Sequence, residues 1–278
     1  MNISIIGLGF VGFAMKKSFE MKNVNVFGYD KYKESNHTFE DCLKTEIMFL
    51  CLPTKFNEET CEYDKEPIHE VCGRLNKSGY NGLVVIKSTV EPGTTNALTE
   101  QYTNLVFVHN PEFLTARTAF EDFHNQKHIV LGKGGKYDNI ESLISFYSKL
   151  YPKAEISVCL SIESESMKSY VNCFYAVKIQ FFNELYLTCQ KNGSDYNTVK
   201  NLMLKNNWIN PMHTTVPGPD GKLSYGGLCF PKDTKALLEY MKKNNIHCGV
   251  LEATIEERNE MRSDMVNILG KSETCINL

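Results

Sequence analysis

Residues 224–235 read SYGGLCFPKDTK. The adjacent glycines Gly226 and Gly227 let the backbone turn tightly and approach a ligand more closely than any Cβ would allow. They lead into Cys229, with Pro231, Lys232 and Asp233 close behind. A cysteine beside Lys232, near a helix start expected at Asp233, sits in positive potential that favours the thiolate, the nucleophilic form. The competing reading is a buried structural thiol after an ordinary turn. Chemistry at Cys229 needs a cofactor, acid-base groups and elements that bring them within reach.

The N-terminus offers the cofactor. An apolar strand, Ile3–Ile6, runs into Gly7-Leu8-Gly9-Phe10-Val11-Gly12, and residues 13–20 read as a helix. In that context GxGxxG predicts a dinucleotide site: Gly7 makes the turn, Gly9 admits the pyrophosphate, Gly12 lets helix pack on strand, and phosphate rests on the helix N-terminus. Asp30, closing the second strand, stands at the offset where an acid accepts the ribose hydroxyls. It would also repel a 2′-phosphate, which favours NAD over NADP, although Lys31 and Lys33 follow closely. Later strands end in small polar residues, Leu50-Cys51-Leu52-Pro53-Thr54, Lys87-Ser88-Thr89-Val90 and His109-Asn110-Pro111-Glu112-Phe113-Leu114. Together they suggest a lined cleft at one edge of a sheet. His37, His69, His124 and His128 fall in no ligand spacing, and no metal site is expected.

Positioning falls to two regions. Short apolar runs at 3–6, 24–29, 47–52, 83–86, 105–108, 129–131 and 156–158 alternate with helix-like segments. This pattern predicts an α/β, doubly wound parallel sheet over residues 1–160. After Cys159 the period changes. Ser161 reads as an N-cap, and Met167, Tyr170, Val171, Phe174, Val177, Phe181 and Leu185 recur at helical spacing until Gly193. A helix of about 45 Å follows, long enough to link two domains and offer a face to a second subunit. Lys168 and Asn172, four apart, share one of its faces. Residues 161–278 are then a smaller all-α domain, with helices at 196–206, 234–244 and 251–269. The glycine- and proline-rich loop 210–227 is too long for a passive connector.

Composition narrows the class. At 278 residues with net charge −3 and scattered lysines, the chain shows no nucleic-acid or anionic-membrane footprint. Its ten cysteines form no CxxC pair and read as reduced thiols of a cytoplasmic protein. No apolar run nears the roughly 20 residues of a membrane span, and no signal peptide is expected, since residues 2–6 already read as a strand.

The blocks GLGFVG, LPT, KSTVEPGTT, NPEFL, Lys168 with Asn172, and GGLCFPKDT, in this order over nearly the whole chain, resemble the UDP-glucose 6-dehydrogenases of the wider UDP-glucose/GDP-mannose dehydrogenase family. The resemblance implies a twofold NAD-dependent oxidation of a primary alcohol, UDP-glucose to UDP-glucuronate, through a thiohemiacetal and a thioester on an essential cysteine. By that resemblance Cys229 is the nucleophile. Lys168 and Asn172 stabilise the oxyanion, while Asp233, Thr89 and Glu112 serve acid-base and water-positioning roles, with Glu112 the proton acceptor in thioester hydrolysis. Gly7, Leu8, Gly9, Phe10, Val11, Gly12, Asp30, Leu52, Pro53, Thr54, Ser88, Thr89 and Lys232 match cofactor positions. Glu112, Phe113, Leu114, Thr115, Lys168, Asn172, Tyr225, Gly226 and Cys229 match sugar-nucleotide positions. A homodimer through the long helix is implied.

The chain departs from the family pattern in three places. It stops where longer relatives continue into a third domain that grips the nucleotide, so a short two-domain form is expected. Ala116 stands where a glutamate is usual, and Trp208 where an arginine crosses to the neighbouring site; Lys222 would supply the missing charge. Two alternatives stay open: another nucleotide sugar, GDP-mannose or a UDP-amino sugar, as substrate, or an NAD-binding paralogue that does no chemistry.

Overall fold

The computed structural model describes residues 2–135 and 140–262. In chain order the elements are β1 (Ile3–Ile6), α1 (Phe10–Met21), β2 (Val26–Tyr29), α2 (Phe39–Cys42), β3 (Ile47–Leu50), β4 (Phe56–Asn57), β5 (Glu62–Tyr63) and α3 (Glu66–Lys77). They continue with β6 (Leu83–Ile86), α4 (Thr94–Gln101), β7 (Val106–His109), a 3-10 turn at Ala116–Thr118, α5 (Ala119–His124), β8 (His128–Lys133), α6 (Glu141–Leu150) and β9 (Glu155–Leu160). The last four are α7 (Ser161–Asn192), α8 (Tyr196–Leu204), α9 (Phe230–Lys243) and α10 (Gly249–Met261). The chain forms two compact units. The first holds residues up to Thr54 and Tyr63–Lys168; the second holds Lys55–Glu62 and the chain from Ser169 on.

In the first unit seven strands lie in the order β2-β1-β3-β6-β7-β8-β9. Along β3 the side chains alternate. Ile47 and Phe49 join Phe19, Phe123, Phe146 and Tyr147 on one face, while Met48 and Leu50 join Phe39, Ile68, Leu75 and Leu98 on the other. Both faces are covered by helices, which is why these strands are apolar throughout. The expectation of a wholly parallel sheet needs one correction: β8 runs antiparallel to β7, pairing Val108 with Lys133 and His109 with Gly132. An apolar run reads the same in either direction, so composition does not encode this reversal.

The second unit packs Cys173 of α7 against Leu237 and Leu238 of α9 and Leu251 of α10. A second cluster gathers Phe182, Cys189, Tyr196 and Val216. With 32 residues, α7 extends about 48 Å. Its start differs from expectation. Ser161 is the first helical residue, and its hydroxyl donates to Asn96 Oδ1 at 3.0 Å instead of capping α7. Helix α9 likewise begins at Phe230, before the expected Asp233, because Pro231 sits in its first turn, where a missing N–H costs nothing. Helix α10 ends at Met261, where Arg262 turns extended, and residues 263–269 of the helix expected at 251–269 lie outside the described residues.

Candidate active site

The strand order reverses between β1 and β3, and the turn after β1 opens at that switch point, where doubly wound sheets hold ligands. Gly7 has φ +93°, and a Cβ there would collide with the Cys51 carbonyl oxygen. A Cβ on Gly12 would strike the Gly7 carbonyl oxygen, whereas nothing lies within 4 Å of the corresponding position on Gly9. Two glycines are therefore demanded by protein contacts, and the third leaves open space above the turn. Gly9 is the N-cap of α1, with no side-chain cap and no acidic residue in the first helical turn. Space, an uncapped helix terminus and a first helical turn without acidic residues together suit a diphosphate.

Asp30 braces the turn. Its Oδ2 accepts the Leu8 N–H at 2.7 Å, and its Oδ1 accepts the N–H groups of Tyr32 and Lys33 at 2.9 and 3.1 Å. Lys33 Nζ donates back to the Leu8 carbonyl at 2.9 Å, and Lys31 pairs with Glu70 at 2.8 Å. Nearby, the Leu52–Thr54 segment is stitched to the loop after β6. Ser88 Oγ accepts from Leu52 N–H at 3.0 Å and donates to its carbonyl at 2.7 Å, and Thr54 Oγ1 donates to the Thr89 carbonyl at 2.7 Å.

At the end of β7, Lys168 reaches the segment carrying Glu112. Its Nζ lies 2.6 Å from the Glu112 carbonyl oxygen and 3.2 Å from Oε1, with the Lys168 side chain 6 % and that of Glu112 13 % exposed. Glu112 Oε2 also accepts the Leu114 N–H at 2.6 Å. Phe113 is 41 % exposed beside them, and Lys168 Nζ lies 5.5 Å from its ring centroid. Thr115 N–H is held by Asp122 at 2.8 Å. Lys168 completes a polar stripe on the first turns of α7. Ser164 bonds His109 at 2.7 Å, and buried Glu165 accepts the N–H groups of Gly93 and Thr95 at 2.6 and 2.8 Å, capping α4.

In the second unit, Asn172 Nδ2 donates to Asp233 Oδ2 at 2.6 Å, and Lys232 Nζ lies 2.5 Å from Oδ1 of the same fully buried carboxylate. Asp233 N–H donates to the Cys229 carbonyl at 2.9 Å, which fixes Cys229 as the N-cap of α9. The Cys229 side chain is exposed there, at a helix end that favours negative charge. All nine described cysteines are free thiols. Burial pushes Cys42, Cys51 and Cys72 up to about 12, so those three stay protonated.

The loop leading to Cys229 is gripped from two sides, and the gripping residues were not among the sequence candidates. Ser224 N–H donates to Asn183 Oδ1 at 2.8 Å, and its hydroxyl to Gln180 Oε1 at 2.5 Å, both on α7. Arg262 reaches Asp220 Oδ2 at 2.6 Å and the Leu223 carbonyl at 3.2 Å; Arg258 Nε reaches the Tyr225 carbonyl at 3.3 Å. Arg258 and Arg262 stand four apart, and that spacing was the available signal. Tyr225 itself is buried, 2 % exposed. Trp208 is 93 % exposed, Ala116 opens the 3-10 turn, and Lys222 is on the surface.

A doubly wound sheet with a glycine turn, a following helix and a bracing aspartate at its switch point defines a Rossmann-type dinucleotide-binding protein. The chain belongs to the UDP-glucose/GDP-mannose dehydrogenase family: the model of its NAD binding domain matches residues 31–151 and that of its central domain residues 162–260. The UDP-glucose 6-dehydrogenase of Rickettsia bellii is 33% identical over 248 residues, 86% of this chain and 55% of that protein. That of Rickettsia felis is 30% identical over 251 residues, 86% and 53% respectively. The chain thus spans about half the length of these curated relatives. Among solved structures, a UDP-glucose dehydrogenase from Pyrobaculum islandicum superposes with TM-score 0.80 at 24% identity, covering 93% of this chain and 68% of that one. The 3-hydroxyisobutyrate dehydrogenase of Mycobacterium tuberculosis reaches 0.72 at 13% identity, covering 95% and 94%. Both likenesses concern the fold alone.

Proposed function

We propose that this chain is a nucleotide-sugar 6-dehydrogenase that oxidises UDP-glucose to UDP-glucuronate. The observation that carries the reading is Cys229, exposed at the start of α9 one helical turn before Asp233, whose buried carboxylate is held by Asn172 and Lys232. A non-catalytic binder has no physical need for a thiol presented beside so costly a buried group.

Two NAD molecules, bound in turn, would each accept one hydride, and the turn at Gly7–Gly12 with Asp30, Leu52–Thr54, Ser88 and Thr89 would hold them. The chain's own groups do the rest. Asp233 and Thr89 are the acid-base candidates for the primary hydroxyl. Once the alcohol is an aldehyde, Cys229 sulfur adds to the carbonyl carbon and forms a C–S bond, while the carbonyl electron pair moves to oxygen. Lys168 and Asn172 donate hydrogen bonds to that oxyanion. After the second oxidation the carbon is a thioester. Glu112 takes a proton from water, the water oxygen bonds the carbon, the C–S bond breaks, and Cys229 leaves as thiolate. Glu112, Phe113, Leu114 and Thr115, with Tyr225 and Gly226, frame the sugar nucleotide in this reading.

A homodimer through α7 is part of the proposal, supported by Tyr170, Phe174 and Phe181, each more than half exposed on that helix. Cytoplasmic location is supported by the free thiols. Among the described residues no helix is long and apolar enough to cross a membrane.

The test is NADH formation across a panel of UDP-glucose, GDP-mannose and UDP-amino sugars, with two NADH expected per sugar for UDP-glucose. Cys229→Ser should stall after the aldehyde stage or trap a slow ester, because an alkoxide leaves far less readily than a thiolate. Faster turnover of another sugar would change the substrate, and NAD affinity without product from any sugar would leave a binding protein only.

A further inference from the structure

Lys87 is 3 % exposed, yet none of the acceptors hydrogen-bonded to it is a carboxylate. Its ammonium donates to Asn110 Oδ1 at 3.1 Å and to the Pro111 carbonyl at 3.2 Å, both neutral oxygens. Asn110 is locked in turn: its Oδ1 also accepts the Tyr147 hydroxyl at 2.6 Å, and its Nδ2 donates to the Val130 carbonyl at 2.8 Å. The next residue along, Glu112, is the one whose carbonyl and carboxylate meet Lys168. Hydrogen-bonding a buried ammonium to neutral acceptors is a poor route to stability, since an apolar side chain of similar length would fill the space without the desolvation cost. The arrangement instead fixes the position of one short segment with charge-assisted hydrogen bonds from below.

We propose that Lys87 is a positioning residue for the Glu112–Lys168 pair: through Asn110 and Pro111 its ammonium sets where the Glu112 carbonyl and carboxylate stand relative to Lys168. The consequence for turnover rests on the dehydrogenase reading above; the geometric claim does not. Burial pulls Lys87 down to about 8. The groups facing it are Cys51 at the end of β3, Glu112, Lys168, Tyr147 on α6 and His109 on β7, the last held neutral by burial at about 3. Proton loss near pH 8 removes the charge from both hydrogen bonds, so turnover should decline on the alkaline side as the segment loosens.

Lys87→Met tests this. In its crystal structure at pH 7 the two Lys168 contacts to Glu112 should open beyond 3.5 Å. The kcat should fall by about 10- to 100-fold, the scale of a misplaced catalytic group, with NAD affinity within threefold of wild type and the alkaline decline near pH 8 gone. A variant that keeps both contacts, or one matching the wild-type kcat and pH profile, overturns the proposal. Should Lys87→Met not fold, wild-type crystals decide: contacts that open between pH 7 and pH 9.5 support it, and contacts unchanged at both overturn it. A wild type that oxidises no nucleotide sugar would remove the dehydrogenase reading and leave these distances to judge Lys87.

Discussion

The side-chain amide of Asn172 on α7 donates to the carboxylate of Asp233 on α9 at 2.6 Å. The two residues are 61 positions apart, and Asp233 is fully buried. The bond ties the long helix to the helix whose first residue follows Cys229, so α9 is referenced to α7 by a polar contact as well as by the packing of Cys173 on Leu237 and Leu238.

A double-mutant cycle measures that tie. Asn172→Ala takes one donor from the buried Asp233 carboxylate, and Asp233→Ala takes the acceptor from the buried Asn172 amide, losses on the scale of about 1–3 kcal/mol. Asn172→Ala, Asp233→Ala and the double variant should therefore show a coupling energy of at least about 1 kcal/mol in urea unfolding. Turnover in Asp233→Ala should drop by about 100-fold, from loss of the proposed acid-base group. Stability effects that simply add would mean the contact carries no weight.

Sequence and structure part company at identifiable residues. The strands were legible because continuous apolar runs such as Ile47, Met48, Phe49 and Leu50 are needed only where both sheet faces are covered. The direction of β8 was not, because Ile129, Val130 and Leu131 would be equally apolar either way. The glycine turn, Lys168, Asn172, Cys229 and Asp233 were visible as residue types at informative spacings. Glu165 of α7 caps α4, some 70 positions away, a role that no local pattern encodes. Lys87 stood inside a recognised block yet looked like any lysine, since nothing in a sequence distinguishes a buried ammonium from a solvated one. Arg258 and Arg262 grip a loop more than thirty residues upstream, a relationship only tertiary packing creates.

Asp30 carries two loads at once, and substitutions can separate them. Its carboxylate braces Leu8, Tyr32 and Lys33, and its charge should disfavour a 2′-phosphate. Asp30→Ala removes both, and NAD binding should weaken by roughly 10- to 100-fold, the equivalent of losing charged hydrogen bonds. Asp30→Asn keeps an acceptor oxygen for the brace. It should lose less NAD affinity while relaxing discrimination against NADP nearly as far. Fluorescence titration with both dinucleotides gives the ratio, and an unchanged preference in both variants would end the ribose assignment.

Gly226 and Gly227 are adjacent but are required for different reasons, which makes them separable by rescue. A Cβ on Gly226 would lie 2.6 Å from Nη2 and 2.8 Å from Cζ of Arg262. That guanidinium cannot swing aside freely, because Asp220 and the Leu223 carbonyl hold it and its side chain is 4 % exposed. Gly227 meets nothing within 4 Å, but its φ of +79° is a conformation that costs an L-residue about 1–2 kcal/mol. Both Gly226→Ala and Gly227→Ala should lower stability, the first by about 1–3 kcal/mol through overpacking, and both should raise KM for the nucleotide sugar. Adding Arg262→Ala should then relieve Gly226→Ala, so that the double variant is more stable than the sum of the singles predicts, and should do nothing for Gly227→Ala, whose strain is in its own backbone. Unfolding in urea of the wild type, the three single variants and the two double variants gives the six free energies. Equal non-additivity at both glycines would mean Arg262 acts on the loop as a whole and not on the space above Gly226.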